Sequence, residues 1–310
     1  MARENNKACS KVGPIAHIEA LAGILSTTPS ELVDLSDSIP SLWKPGKVLK
    51  KKDGTPDEGA CRASAMDGAS HPRAALGDQR KPLPAAIQKQ FSNRFVFNED
   101  MGWVPEGWDV VPLDSIIELI GGGTPKTSVE EYWGGEIPWF SVVDAPSTSD
   151  IFVINTEKQI SSAGLENSSA KLLPVGTTII SARGTVGKCA IVGAPMAMNQ
   201  SCYGIRGIGG YRDYYVYYTI LLRVADLQQR GHGSVFNTIT RDTFRSIKTV
   251  ACPHELSDFF DESVEEFLAK IVLNLRQTEG LAALRDTLLP KLLSGQLRIP
   301  EAEKKLAEAL

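Results

Sequence analysis

The chain has 310 residues, of which 42% are hydrophobic and 23% are charged, a composition typical of folded globular proteins and sufficient for about two domains. Its net charge of -4 excludes a protein that binds nucleic acid through overall basic charge, although a local basic surface is compatible with it. The five cysteines form no C-x-x-C pair and the four histidines form no H-E-x-x-H motif, so neither a disulfide framework nor a metal site is indicated. No run reaches the roughly 18 apolar residues of a membrane helix, and we expect a cytoplasmic protein without membrane contact.

The first 100 residues differ in texture from the rest of the chain. Residues 60–84 are rich in Ala, Gly, Pro, Ser and charged residues, and they contain almost no large aliphatic side chains. Such a segment buries too little apolar area to offset the entropy of ordering it. We therefore predict that residues 1–100 are an atypical N-terminal segment, with a partly disordered linker at about 60–84.

Short apolar runs alternating with Gly, Pro and Ser turns begin at Trp103 and predict a mixed, strand-rich α+β domain over residues 101–252. A short helix is predicted at 115–120, with Asp114 as its N-cap and three glycines at its end. Two extended runs, 177–182 and 188–192, predict a β-hairpin.

Two further segments have helical periodicity. In residues 214–227 tyrosines and aliphatic residues recur at helical spacing, which favours a packed helix face over a platform for base stacking. Residues 258–289 predict a long amphipathic helix that Ser257 caps and that Pro290 bends or ends. At about 48 Å it is too long to lie wholly on a small domain, so part of its stripe should meet another helix as a coiled coil. We predict partner contacts for its apolar residues Phe260, Val264, Phe267, Ile271, Leu275, Leu281 and Leu288, within a helical region 253–296 that a charged tail, 297–310, follows.

No catalytic motif is recognisable. In residues 183–189 (RGTVGKC) the Gly-Lys pair precedes Cys189 instead of Ser or Thr, and Ala182 stands where a phosphate loop needs its first glycine. The chain also lacks a G-x-S-x-G motif. We therefore expect no catalytic residue and no cofactor in this chain.

Several blocks from Trp103 onward resemble, in order, the specificity (S) subunit of type I restriction–modification systems. The resemblance covers about two thirds of the chain, and it rests on residues 104–108 (VPEGW), 122–125 (GGTP), 132–139 (YWGGEIPW), 168–174 (SSAKLLP), 181–188 (SARGTVGK), 198–200 (MNQ), 231–240 (GHGSVFNTIT) and 284–295 (LRDTLLPKLLSG).

The resemblance implies a non-catalytic subunit that recognises double-stranded DNA. In that family one specificity subunit joins two methyltransferase subunits, and restriction subunits with nuclease and translocase activity join later. S-adenosylmethionine, ATP and Mg are therefore expected only on the partners.

The chain departs from the family pattern in having one recognition domain and one long helix, where a full specificity subunit has two of each. One interpretation is a half-sized subunit that forms a homodimer or joins a second specificity chain. The alternative is a truncated remnant that acts only through protein contacts of its helix. Residues 42–54 are faintly similar to the opening of some bacterial reverse transcriptases, but no Tyr-x-Asp-Asp follows, and we assign them no activity.

A domain that reads DNA needs phosphate anchors and polar side chains that reach base edges. In the predicted hairpin loop, Arg183 and Lys188 are suited to phosphate or guanine, and Ser181 and Thr185 to phosphate. Other candidates for DNA contact are Thr124 and Lys126 after the glycine run, Asn199 and Gln200, which are types that pair with adenine, and His232, Ser234 and Asn237 in the late loop. Two alternatives are that Asn199 and Gln200 satisfy backbone groups and that residues 124–127 are a solvated loop.

Overall fold

A computed structural model describes residues 85, 89–90, 94–146, 150–231 and 238–300. It has the predicted class, a strand-rich α+β domain followed by a long C-terminal helix. The chain divides into two compact units, with the boundary after Val264. The predictions for residues 1–84, including the linker, and for residues 301–310 lie outside the described residues.

A five-stranded sheet forms the centre of the first unit, in the order β4-β11-β8-β9-β6. The first three pairings are antiparallel, and β6 runs parallel to β9. The strands are β4 (Ile117–Gly121), β6 (Phe152–Val153), β8 (Thr178–Ser181), β9 (Cys189–Val192) and β11 (Cys202–Gly207). All four residues of β8 are buried, as befits the central strand of a sheet covered on both faces.

A smaller sheet has the order β10-β5-β7, and two strand pairs, β1-β2 and β3-β12, complete the strands. Trp139, Ile160, Ala170 and Ala197 form the buried core around the smaller sheet. The strands are β1 (Phe95–Asn98), β2 (Gly102–Pro105), β3 (Asp109–Pro112), β5 (Trp133–Phe140), β7 (Gln159–Ile160), β10 (Ala197–Met198) and β12 (Lys248–Ala251).

Four α-helices are described: α1 (Ser162–Glu166), α2 (Asp213–Gly231), α3 (Arg241–Ser246) and α4 (His254–Leu293). Helix α2 confirms the helix predicted at 214–227. Its tyrosines do pack, since Tyr215 and Tyr217 are buried, but Leu221 is exposed. The face that the spacing predicts is therefore only partly the buried one; it comprises Tyr214, Tyr217, Tyr218, Leu221, Leu222 and Ala225.

The predicted helix at 115–120 is wrong. Leu113–Ser115 form a single 3-10 turn, and the following residues extend into β4. The β-branched Ile117 and Ile120 suit a strand, and pairing with β11 supplies the backbone hydrogen bonds. Asp114 lies within the 3-10 turn and caps no helix, and its carboxylate accepts a hydrogen bond from the guanidinium of Arg245 at 2.9 Å.

Helix α4 is longer than predicted at both ends. Ser257 is not its cap but a buried residue of its first turn, where the hydroxyl accepts the backbone N–H of Arg212 at 3.0 Å. Pro290 lies inside the helix, three residues before its end. None of the helices in the described ranges is long and apolar enough to cross a membrane.

The predicted stripe of α4 is buried only near its start. Phe260 and Val264 are buried, as is Leu268, which the sequence did not single out. Four later stripe positions are half-buried: Phe267, Ile271, Leu275 and Leu288. Leu281 is exposed.

Candidate nucleic-acid interface

Three loops leave the same end of the five-stranded sheet. The register pairs Tyr203 with Gly121 and Cys202 with Ser181, so β4 and β8 end where β11 begins. Strand β9 also begins at this end, because Ile180 pairs with Cys189. The loops at residues 122–127, 182–188 and 199–201 therefore share one end of the sheet, which we call the loop edge.

The β8–β9 loop presents three of the four side chains that the sequence predicted. Arg183, Thr185 and Lys188 are exposed. Ser181, predicted to touch phosphate, is only 1% exposed, and its hydroxyl donates to the Thr185 carbonyl and accepts the Lys188 N–H at 2.9 Å. Ser181 thus shapes the loop from inside and does not face a ligand.

Helix α2 supports this loop. The side-chain amide of Gln228 donates to the Val186 carbonyl at 2.8 Å. Gly187 has a φ of 89°, and a Cβ there would lie 2.9 Å from a methyl group of Val224, so only glycine fits this close approach. The loop is consequently fixed in its second half, while Arg183 lies exposed in its first half.

Arg183 and Lys188 differ from most arginines of the domain. Within the ranges that the structure describes, the side chains of Arg183 and Lys188 make no hydrogen bond and no ion pair. In contrast, Arg206 pairs with Asp213 at 2.6 Å, and Arg212 pairs with Asp258 at the same distance. The two loop cations are therefore available to an external anion.

The other two loops meet each other. Gly123 donates its N–H to the Met198 carbonyl at 2.9 Å, and the Thr124 hydroxyl donates to the side-chain carbonyl of Gln200. Gly122 is required here, because a Cβ would lie 1.9 Å from the Asn199 carbonyl oxygen. Thr124 and Gln200, which lie 76 residues apart, are thus neighbours on the loop edge.

Asn199 has a different role from Gln200. Its side-chain oxygen accepts the Ser201 N–H at 2.9 Å, so it satisfies a backbone group, as the alternative interpretation predicted. Gln200 is exposed, as is Lys126 in the 122–127 loop.

The loop edge continues toward the segment after α2. Ala182 donates to the Ser201 carbonyl at 2.8 Å and accepts the Ile239 N–H at 2.9 Å. His232, Ser234 and Asn237 lie outside the described residues. Arg241, which sequence reasoning missed, is exposed near this segment and donates to the Leu119 carbonyl of β4 at 2.8 Å. No motif surrounds it, so only the fold places it beside β4.

The cysteines beside the loop edge are not nucleophiles. Burial raises the pKa of the Cys189 thiol to about 12 and that of the Cys202 thiol to about 12, and the Asp144 carboxylate adds to the second shift. Both thiols are therefore protonated at neutral pH, and thiolate chemistry is excluded there. Among the described residues no cluster of His, Cys, Asp or Glu is suited to hold a metal ion.

Comparison with known proteins gives a consistent family. Residues 105–251 match the family described as type I restriction modification DNA specificity domain. The specificity subunit of the type I restriction enzyme MjaIX from Methanocaldococcus jannaschii is 30% identical over 191 residues, which cover 57% of this chain and 44% of that protein. The specificity subunit of the HindI enzyme from Haemophilus influenzae is 25% identical over 199 residues, covering 63% of this chain and 42% of that protein.

Among solved structures, the type I restriction–modification S subunit from M. genitalium superposes with a TM-score of 0.46 and 14% identity. The superposition covers 90% of this chain and 59% of the M. genitalium chain. The chain spans less than half the length of the two sequence relatives. Residues 105–251 therefore form a type I restriction modification DNA specificity domain, and the chain is similar to specificity subunits of type I restriction enzymes.

Proposed function

We propose that this chain is the DNA-recognition subunit of a type I restriction–modification complex and that its loop edge binds the target duplex. The observation that carries the proposal is the position of Arg183 and Lys188. Both are exposed cations without an internal partner among the described residues, and they share one end of the sheet with Thr124 and Gln200.

These side chains divide naturally between two tasks. Cations on a supported loop suit phosphate oxygens, which position a protein on the duplex, or the acceptor pair of guanine. Gln200 and Thr124 are of the types that read base edges in a groove. Asn199 has less freedom for such a contact, since its side-chain oxygen already accepts the Ser201 N–H.

In this proposal the chain itself is non-catalytic and acts in the cytoplasm. Methylation and cleavage belong to methyltransferase and restriction subunits, which supply S-adenosylmethionine, ATP and Mg. The half-buried positions of α4 beyond Val264 offer an apolar stripe for the methyltransferase, for a second copy of this chain or for another specificity chain.

Selection from a random duplex pool tests the proposal. The chain is copurified with the methyltransferase of the same system, and the bound DNA is sequenced. Enrichment of a defined motif supports recognition: two inverted copies across a fixed gap indicate a homodimer, whereas two unlike half-sites indicate a second specificity chain. Absence of any enrichment contradicts the proposal and favours a remnant that does not read DNA.

A further inference from the structure

Two tryptophans of β5 form hydrogen bonds with the backbone of the 122–127 loop. The indole N–H of Trp139 donates to the Gly123 carbonyl at 2.9 Å, and that of Trp133 donates to the Lys126 carbonyl at 3.5 Å. The two rings contact each other edge to face, with centroids 5.1 Å apart. Thr124 therefore lies between two backbone carbonyls that are both bound by indole groups.

Gly123 is fixed on both sides. Its N–H binds the Met198 carbonyl and its carbonyl binds Trp139, so this one residue ties the 122–127 loop to β5 and to the segment before Gln200. The orientation of the Thr124 and Gln200 side chains consequently depends on a buried hydrogen bond beneath them.

Trp139 is itself held rigidly. It is only 7% exposed and packs in the core cluster with Ile160 and Ala197. Its backbone N–H donates to the Lys158 carbonyl and to the Thr156 hydroxyl, both at 2.9 Å. A donor on a packed strand keeps its position far better than one on a loop, which suits it to preorganise a binding surface.

We infer that Trp139 is a specificity-determining positioning residue, which acts on DNA recognition through the Thr124–Gln200 pair without touching DNA. The inference rests on the proposed function of the loop edge. Phosphate binding by Arg183 and Lys188 does not depend on Trp139, because the β8–β9 loop is supported by Gln228 of α2. Loss of the indole hydrogen bond should therefore weaken the choice between sequences and leave nonspecific affinity intact.

The test compares Trp139→Phe with Trp108→Phe in the full chain bound to its methyltransferase. Trp108 is a matched control, since it is also 7% exposed and its indole N–H donates to the Gln90 carbonyl at 3.3 Å. The probes are a duplex that the wild-type complex selects from a random pool and a scrambled duplex of equal length. The quantity measured is the Kd for the scrambled duplex divided by the Kd for the selected duplex.

For Trp139→Phe we expect this ratio to fall at least about tenfold, the size of one lost base contact, with the Kd for scrambled DNA unchanged. Trp108→Phe should keep the wild-type ratio. Equal ratios for the two variants would overturn the inference while the proposed function stands. A wild-type complex that does not discriminate at all would overturn both.

A double-mutant cycle separates positioning from a general structural effect. If Trp139 acts through Gln200, then adding Trp139→Phe to Gln200→Ala should cause little further loss of discrimination. A full further loss in that background would contradict the inference. Trp133→Phe removes a longer hydrogen bond from a partly exposed ring and should lower the ratio less. If Trp139→Phe does not fold, Trp133→Phe takes its place, because it perturbs the same loop more mildly.

Discussion

At the scale of single residues, charge pairing separates Arg183 from most other arginines of the domain. Arg206, Arg212 and Arg245 each meet a carboxylate within 2.9 Å, and such exposed pairs contribute little to stability but do occupy the cation. Arg183 and Lys188 have no such partner among the described residues. Their charges are therefore not neutralised by a carboxylate and can attract a phosphate backbone.

Reversing these two charges should abolish most DNA binding. For Arg183→Glu, Lys188→Glu we expect a large loss of affinity for all sequences and, in the residual binding, a slope of log K against log salt that is shallower by about 0.9 for each lost phosphate contact. The measurement is a salt titration of binding to the selected duplex.

The control for this variant is Lys270→Glu, Lys291→Glu, which makes the same change in net charge at two exposed positions of α4. Equal binding by the control and the loop variant would show that overall charge, rather than the loop edge, governs affinity.

The fold shifts the pKa of the Asp261 carboxyl into the weakly acidic range. Its carboxylate accepts the N–H groups of Tyr214 and Tyr215 at 3.0 and 2.8 Å, at the start of α2. Burial raises the pKa of this carboxyl from 3.8 to about 6, the two backbone hydrogen bonds oppose the shift, and the charge of Asp213 adds to it. The folded protein therefore takes up a proton here at a higher pH than the unfolded chain.

Since the folded-state pKa is raised, the contribution of Asp261 to stability is present below about pH 4 and is lost as the pH rises through 6. Relative to Asp261→Asn, we expect the free energy of unfolding of the wild type to fall between pH 4 and 6 by no more than about 1.4 kcal/mol per pH unit. Urea unfolding of both proteins at several pH values measures it. A difference that stays constant from pH 4 to 7 would contradict this assignment.

Residue types alone predicted which side chains of the candidate site are exposed, but not which are used internally. An arginine and a lysine in a glycine-containing turn are exposed for local reasons, so Arg183 and Lys188 were recognisable. The internal roles of Ser181 and Asn199 were not predictable, because a hydroxyl or an amide can bind a backbone N–H as well as a base edge. Only the folded chain shows that both of these side chains bind nearby backbone groups.

At the scale of elements, pairing with a distant strand explains why the sequence pattern predicted a helix where the chain forms a strand. Residues 115–120 have a capping residue before them and glycines after them, which is typical of a helix. Their apolar run fits a strand equally well, and the partner β11 begins 81 residues after β4 ends. Local patterns do not contain that partner, whereas the hairpin of β8 and β9 has its two strands close in sequence and was predicted.

Two glycine substitutions should change stability in opposite directions. Gly280 lies in α4, and a Cβ added there would have no neighbouring atom within 4 Å, so Gly280→Ala should stabilise the helix by about 0.5–1 kcal/mol. Gly122→Ala should destabilise the domain by about 1–3 kcal/mol, because its Cβ would overlap the Asn199 carbonyl. Chemical unfolding followed by circular dichroism measures both, and effects of the same sign would contradict the glycine assignments.

The stripe of α4 beyond Val264 should act in association. We expect Ile271→Glu, Leu275→Glu to lose self-association or methyltransferase binding, because a charged residue in a helix seam is left without solvent. Light scattering measures the mass of the complexes, and the melting temperature of the domain should not change. Ala269→Glu, Ala283→Glu at exposed positions is the matched control. Retention of the wild-type mass by the stripe variant would exclude this role.

At the scale of the whole molecule, the loop edge is a product of topology. It joins residues 122–127, 182–188 and 199–201, which the antiparallel order of β4, β11, β8 and β9 brings to one end of a sheet. The order of the sequence blocks was sufficient to suggest the family. It did not give the contact between Thr124 and Gln200 or the support from Trp139, because both depend on pairing across long stretches of chain.

The most direct test of the central claim asks which end of the sheet faces DNA. A photocrosslinking p-benzoylphenylalanine is placed at Thr185 on the loop edge or, as the matched control, at Ile208, which is exposed just after the opposite end of β11. Each protein is irradiated with the selected duplex in the methyltransferase complex. We predict crosslinks from position 185, more with the selected duplex than with a scrambled one, and none from position 208. Crosslinks from position 208 with none from position 185 would contradict the account.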